Sequence, residues 1–596
     1  MTEHKSEERI CMSKISKSIL DFIVKGNQKN SFKVEVMNPD DPKLKKRKKK
    51  KDSETKSDKV TPSGSKRFKA VIIALLVCGV IGFCINYVAL PAWNLHSRGF
   101  WGFMIFETLL FMAIYELSLF ENGYRMAIGD KIVCAIPFVL IGLYFILSII
   151  GAMIFNSKRY ANIIKVENGK FEEDIQPVKS VNNIALMDTE TAKVFGERTL
   201  GSLSDVVSQY DLSGEYAQIN YQGNPMKVSS LQYEGFWKWV ANKKDGIPGY
   251  VLVDPVNNTS KYVKLEKPIH YSPSEYFHND LMRTLRRKYP TKMFYDVYFE
   301  VDEEGNPYYV AATESPTIGW FSGMEIDGAV VMDASTGESK YYKAKDIPEW
   351  VDVVYDGDYI TEKLNWNGKY QNGFLNSLFA KKGCRKTTDD YGYISIGTDI
   401  YYYTGITSAA GDSSNIGVVL VNERTCETKF YEIAGADEHS AMEAAEGEVQ
   451  QYGYTASFPS IINVNGEPTY IMVLKDNNNI VKEYAMVNLE NYTKVVVADT
   501  QTEAFSKYIT LLGIDEPEDN KDEDVKYIDK KVKVKEINYI VIEGNTVVYI
   551  KTENGPIYKT SFTEDLITLE SGMTVTVRYN EKFDNSDIIS ASEVIK

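Results

Sequence analysis

The chain is poor in the side chains that carry most enzyme chemistry. Five histidines and six cysteines are spread over 596 residues. It contains no His-Glu-x-x-His, Cys-x-x-Cys, Walker loop, Gly-x-Gly-x-x-Gly or Gly-x-Ser-x-Gly. Those absences remove the common zinc-hydrolase, dithiol, P-loop, dinucleotide and serine-hydrolase readings. What remains open is a site assembled from distant loops, such as paired carboxylates. No catalytic residue, cofactor or metal ligand is therefore assigned. Positive charge is also scarce beyond the N-terminus. The net charge is -14; Met1 to Lys69 carries roughly +10 and the remainder roughly -24, which excludes nucleic acid as a partner of the bulk.

The cysteines fall into groups. Cys78, Cys84 and Cys134 lie in apolar stretches and read as small hydrophobes, and Cys11 lies in the tail. Cys384 and Cys426 stand in the large polar part. They are a candidate disulfide if that part is extracellular; their spacing fits no zinc pattern.

What is present begins with a tail, Met1 to Arg67. Ile15, Ile19, Phe22 and Ile23 recur at helical spacing among lysines, a short basic amphipathic helix. The run KLKKRKKKK at Lys43 precedes an apolar stretch closely enough to read as a topology signal. Three stretches of membrane-spanning length follow, Phe68 to Tyr87, Phe100 to Phe120 and Ile132 to Phe155. A cytoplasmic N-terminus then places everything after Asn156 outside. The second stretch contains Glu107 and Glu116, candidate intramembrane polar residues. Nine residues apart, they lie on opposite helix faces, so a shared site is disfavoured against snorkelling to the interfaces. Were that stretch only interfacial, the large domain would be cytoplasmic.

Beyond Asn156 one phrase recurs: VLVDPVNNTSKYVKL at Val251, VVMDASTGESKYYKA at Val330, VLVNERTCETKFYEI at Val419 and AMVNLENYTKVVVAD at Ala485. Each copy holds an Asx residue that opens a turn (Asp254, Asp333, Asn422, Asn488). One carboxylate per turn is too few for calcium. Four residues on stand Asn258, Gly337, Cys426 and Tyr492. A left-handed backbone there suits Asn and Gly, so the last two copies are expected to turn differently. Upstream, Ser272-Pro273-Ser274-Glu275 and Ser440 with Glu443 read as capping boxes that start helices. Gly305-Asn306-Pro307-Tyr308-Tyr309 and Gly466-Glu467-Pro468-Thr469-Tyr470 read as hairpins. The loop from Thr317 to Gly323 offers Trp320 and Phe321 as a candidate partner contact, against packing on their own sheet.

The order of helix, Gly-x-Pro-x-Tyr hairpin and strand-Asp-x-x-Thr-Gly-Glu-strand resembles the PepSY-like fold. The match is best from Ser272 to Tyr342 and fair from Ser440 to Asp499. The whole layout resembles a group of membrane-anchored bacterial proteins. The resemblance implies extracytoplasmic, tandem, non-catalytic domains, some of which inhibit or chaperone proteases or belong to envelope regulators.

The expected fold is α+β. It has a basic cytoplasmic tail (1–67), three transmembrane helices (68–156), a first β-rich PepSY-like part (157–270), a PepSY-like unit (271–350), a degenerate one (351–437), another unit (438–513), an acidic linker (514–526) and a small SH3-like or OB-like β-barrel (527–596). The expected function is a non-enzymatic, multi-pass envelope protein of a Gram-positive bacterium. Its partners are the lipid bilayer and an unidentified envelope protein or cell-wall component. Alternatives are an accessory subunit of a membrane signalling or transport complex and a hydrolase with an unrecognised site.

Overall fold

The computed structural model describes residues 62–120, 125–181, 184–409, 414–514, 527–542, 545–552, 555–561, 566, 568–580 and 588–595. The helix expected near Ile15, the Lys43 run, Cys11 and the acidic run from Asp515 to Asp524 lie outside them. The protein is mixed α and β, with three long apolar helices: α1 (Gly64–Ala89), α2 (Arg98–Leu119) and α3 (Ile128–Ile150). Each is long and apolar enough to cross a membrane, including the glutamate-bearing second one. A helix satisfies all its backbone groups internally, which lipid demands.

The chain divides into two compact units, one of residues up to Cys78 with Leu109–Ile136, the other of Gly79–Thr108 with Pro137–Lys596. In the first, Ala70 and Ala74 of α1 pack with Tyr115 and Leu119 of α2. Small residues permit that close approach. Asp130, 1% exposed, pairs with Arg67 and accepts from the Tyr115 hydroxyl at 2.8 Å and the Ala127 N–H at 2.8 Å.

The second unit continues from α3 through α4 (Met153–Ala161) into four successive helix-plus-antiparallel-sheet modules. In the first module α5 (Thr189–Gly201) precedes a sheet ordered Tyr210–Leu212, Asn224–Tyr233, Ile247–Asp254, Thr259–Ile269, with α6 (Phe236–Asn242) on a connection. In the second, α7 (Leu281–Lys288) precedes the meander Met293–Val301, Pro307–Ile318, Ser322–Asp333, Ser339–Lys343. In the third, α8 (Gly357–Tyr370) and α9 (Phe374–Leu378) precede a sheet built on Asp399–Ser408, Gly417–Asn422 and Thr428–Tyr431. Val166–Asn168 joins its edge in parallel. In the fourth, α10 (Glu438–Glu448) precedes a sheet of Glu467–Lys475, Val481–Asn488 and Val495–Ala498, with Ser460–Val464 on Glu467–Lys475, and α11 (Gln501–Leu512) follows.

Alternation stacks these sheets. Tyr309, Ala311, Val330 and Met332 enter a core shared with the first sheet, while Val310, Ala312, Ala329 and Val331 enter one shared with α8 and the third sheet. Val418 and Leu420 then face the fourth sheet, with Val419 and Val421 facing back. Tyr470 and Met472 face the third sheet, and Ile471 and Val473 face α11. Successive residues point to opposite faces, so a continuous apolar run lines two cores at once.

The recurrent phrase closes each module. Asp254, Asp333 and Asn422 each accept from the backbone N–H groups two and three residues on. Asn258, Gly337 and Cys426 are all left-handed. The third copy thus keeps the turn despite Cys426, correcting the expectation from residue type; the fourth differs, with Asn488 accepting from Asn491 N–H. The residue after the Asx is a clamp. Ala334, Glu423 and Leu489 donate their N–H to the carbonyls of Pro307, Ile400 and Pro468, at 3.0 Å each. Their own carbonyls accept from His270 and Tyr271, Val354 and Tyr355, and Ala436, on the segments leading into α7, α8 and α10. In the first copy this position is Pro255, which has no N–H to give.

Two helix starts differ from the sequence expectation. The N-caps are Asp280 and Asp437, whose carboxylates accept from Arg283 N–H and Ser440 N–H. Glu275 instead lies buried, accepting from Trp239 Nε1 at 2.6 Å and Tyr233 hydroxyl at 3.0 Å. A buried carboxylate with one indole and one phenol donor has both oxygens satisfied. At the C-terminus, Tyr527–Ile542 pairs with both Asn545–Thr552 and Thr574–Asn580, and Ile557–Ser561 and Ile588–Ile595 complete the ring of pairings.

Gly337 has φ +73°, and a Cβ there would meet the Tyr271 ring at 2.5 Å. Gly337→Ala is expected to destabilise the second module by about 1–3 kcal/mol, read from the denaturant midpoint of the full chain in detergent.

Candidate functional site

The span ends at Ala89, Arg98 and Ile150 meet the second module, and a site forms there. The hairpin tip after Pro307–Ile318 is tight, with Ile318 paired to Ser322. Gly319 and Gly323 take φ +65° and +62°. A Cβ on Gly319 would sit 2.8 Å from Gly151 Cα, so the tip presses backbone to backbone on the end of α3. Trp320 then meets the connection between α1 and α2, and Phe321 meets α2 and α3. Trp320 Nε1 donates to the Leu95 carbonyl at 2.8 Å, which also accepts from Trp101 Nε1 at 2.7 Å. His96 lies against the Trp320 ring, 4.5 Å between centroids, with Nδ1 3.0 Å from the Trp320 carbonyl. Phe321, 2% exposed, packs against Trp101 and Tyr144. The pair expected as a partner contact is therefore engaged internally, Phe321 buried against an indole and a phenol and Trp320 half-buried on the His96 ring.

The connection between α1 and α2 is held from the same side. Arg286 of α7 donates to the Leu90 carbonyl at 3.0 Å, Trp93 N–H to Pro290 at 2.8 Å, and Asn94 to Thr291 at 2.9 Å. Between these contacts opens a cavity of about 590 Å³. Arg98, Arg286 and Lys363 line it together with Glu314 and Glu362. Its apolar wall includes Met153, Met324 and Trp366. Lys363 sits 4.0 Å over the Trp366 ring and pairs with Glu362 at 2.8 Å. Burial pushes the Glu314 carboxyl above its usual range, against the pull of Lys363. The lining offers charge-assisted hydrogen bonds of both signs beside apolar surface, a recognition chemistry for a charged amphiphilic group.

A second polar cluster lies at the junction of three modules. Glu300, Asp352 and Glu423 are 0%, 3% and 1% exposed. Glu300 accepts from the Asp352 and Val353 N–H groups at 2.8 and 3.0 Å, and Asp352 accepts from Asn220 N–H at 2.7 Å. Glu423 Oε1 is buried with no hydrogen-bond partner. It occupies the clamp position that Ala334 and Leu489 fill with apolar side chains. Burial raises all three carboxyls; the Glu300 charge adds to it at Asp352, and Asp356 and Asp352 add to it at Glu423. Lys227, fully buried nearby, is pulled down to about 8 by burial. Among the described residues no group of three or more His, Cys, Asp or Glu side chains is placed to hold a metal ion. None of these carboxyls was singled out in the sequence; the signal for Glu423 was its Glu where sister copies carry Ala and Leu.

The other sequence candidates are dispersed. Glu107 lies against Gly82, where a Cβ would come within 3.0 Å of its carboxylate, and Glu116 accepts from the Cys134 thiol at 3.1 Å. Each meets a neighbouring helix, Gly82 of α1 for Glu107 and Cys134 of α3 for Glu116. Cys384 and Cys426 are both free thiols, which corrects the disulfide. Cys384 is buried beside Asn376 and the Lys369 carbonyl, and Cys426 packs on the core between the second and third sheets.

Two outcomes follow from this geometry. Phe321→Ala is expected to cost about 3–5 kcal/mol locally, read as faster amide exchange across 317–323 in the full chain. The pH dependence has a defined sign. Carboxyls raised in the folded state hold protons that the unfolded chain releases, so their contribution is complete below the ordinary carboxylate range and is lost as pH rises through the raised values. Lys227 opposes this only above its folded value of about 8. Stability should therefore fall between roughly pH 5 and pH 8, and Glu423→Gln should recover about 1–3 kcal/mol at the upper end while changing little at the lower, measured as denaturant midpoints across pH.

Comparison with protein-family models and with curated proteins finds no match for this chain.

Proposed function

We propose that this is a multi-pass, membrane-anchored envelope protein whose large domain binds a protein or cell-wall partner without catalysing a reaction. The observation that carries the reading is the docking of a four-module stack onto the ends of three apolar helices, with the mixed-charge cavity at that junction. Modules that share cores with their neighbours present a continuous composite surface suited to recognition. The helix-plus-meander order and the Gly-x-Pro and Asx-turn pair support a PepSY-like relationship for the modules. The terminal ring of strands supports an SH3-like or OB-like barrel. The lysine-rich N-terminal run supports a cytoplasmic tail and an extracytoplasmic stack, since three crossings reverse the side.

The test is protease treatment of intact cells carrying epitopes at both ends. Cleavage beyond residue 156, with the tail protected, is the expected result. Protection of the stack with cutting of the lysine-rich tail would overturn both the topology and the role. In-cell cross-linking of the full chain should then recover a defined envelope component, at a yield lowered by Lys363→Glu in the cavity wall.

A further inference from the structure

Exposed large apolar side chains of the modules are not scattered evenly. Most gather in two patches, and both patches adjoin the ends of the apolar helices. The first lies on α6 and the loop before α7. Trp237 is 80% exposed and Phe277 53%, with Phe236 and Tyr276 beside them. Buried Trp239 supports them, at 5.5 Å from Phe236, 5.0 Å from Tyr276 and 5.7 Å from Phe277. This patch connects directly to α1. Arg283 donates to the Phe277 carbonyl at 2.9 Å and lies 4.3 Å over the ring of Tyr87, in the last turn of α1.

The second patch is formed by α9 and α4. Leu375, Leu378 and Phe379 are 64%, 51% and 80% exposed, and Phe155 of α4 is 69% exposed. Phe374 packs with Met153 and Tyr160, fixing α9 to the segment that leaves α3. The Tyr370 hydroxyl donates to Met153 Sδ at 3.2 Å.

The second patch is rimmed by cations in a domain that is otherwise acidic: Lys158, Arg159, Lys381 and Lys382 are all exposed. Lys243 and Lys244 stand beside the first, with Glu234 and Asp245 also exposed there. A second copy of this chain would bring like charges together at the second patch, which disfavours self-association through that face. An anionic lipid surface complements them, at about 1 kcal/mol per cation near the headgroups. The two patches and the Trp320–Phe321 contact meet the three span ends at Tyr87, at Trp101 and just after Ile150, which defines one face of the stack. Aromatic rings and flanking lysines on that face are the composition of an interfacial membrane seat.

We infer that the stack lies on the membrane leaflet next to these span ends, with Trp237 and Phe277 on one side and Leu375, Leu378 and Phe379 on the other inserted among the headgroups and neighbouring cations bound to anionic lipid. This goes beyond anchorage by the spans. It fixes the tilt of the stack over the bilayer and holds the cavity mouth at headgroup level, and it does not depend on the identity of any partner.

The test places photoreactive benzoylphenylalanine at Trp237, Phe379 or, as a control, Tyr492, an exposed site on the fourth sheet. The full-length protein is reconstituted in vesicles of phosphatidylglycerol and phosphatidylcholine carrying a tagged lipid. Illumination is expected to give lipid adducts at 237 and 379 at least ~5-fold above those at 492, falling when phosphatidylglycerol is omitted. Adducts at 237 and 379 no more frequent than at 492 would overturn the inference. So would cross-linking of these sites to a second copy of the chain in place of lipid.

Discussion

The clamp residue that follows the Asx in the second, third and fourth modules is the contact on which their architecture depends. Its N–H reaches the start of the hairpin's second strand and its C=O reaches the segment entering the module's helix. One residue thereby ties the last long strand, the middle strand and the incoming chain together in the interior. Buried backbone groups tolerate no loss of partners, so this junction fixes where each helix can start. In the second and fourth modules it couples the Gly-x-Pro hairpin to the Asx turn, since Pro307 and Pro468 supply the carbonyls that the Ala334 and Leu489 N–H groups require.

From that junction the stack follows. The second, third and fourth sheets are each pinned to their helix at one corner, and their two apolar faces must both be covered. The second, third and fourth sheets therefore become shared walls between adjoining cores. Val166–Asn168 pairs with the third sheet and Val178 N–H with the Asn463 carbonyl of the fourth, and Asp188, just before the first module, pairs with Lys475. The first and last modules are consequently held by the same stretch of chain that leaves the membrane helices. The buried carboxyls sit where three modules converge, so the charge state of that cluster acts on module packing rather than on an exposed surface.

The anchor and the stack are joined by backbone as much as by side chains. Gly319 and Gly151 approach without room for a Cβ, and carbonyls at Leu90, Leu95 and Pro290 receive donors across the contact. A contact built this way has little freedom to rotate, which gives the cavity a fixed lining.

The sequence by itself determined the apolar helices, the α+β class, the modular repeat and the Asx turns, because these rest on local periodicity and short-range hydrogen bonding. It located the Trp320–Phe321 hairpin but not its target, since an aromatic pair reads alike whether a partner or the chain's own helices cover it. It misplaced two helix starts: Ser272 and Ser440 fit a cap by spacing, while Asp280 and Asp437 are where the backbone turns in. It predicted a different turn at Cys426, where closure of the third module imposes a left-handed residue against its intrinsic preference. Only the tertiary structure decided that Glu300, Asp352 and Glu423 converge, that Cys384 and Cys426 stay apart, and that exposed aromatics cluster at the span ends. Those are relations between residues distant in the chain, set by packing between modules and carried by no local pattern.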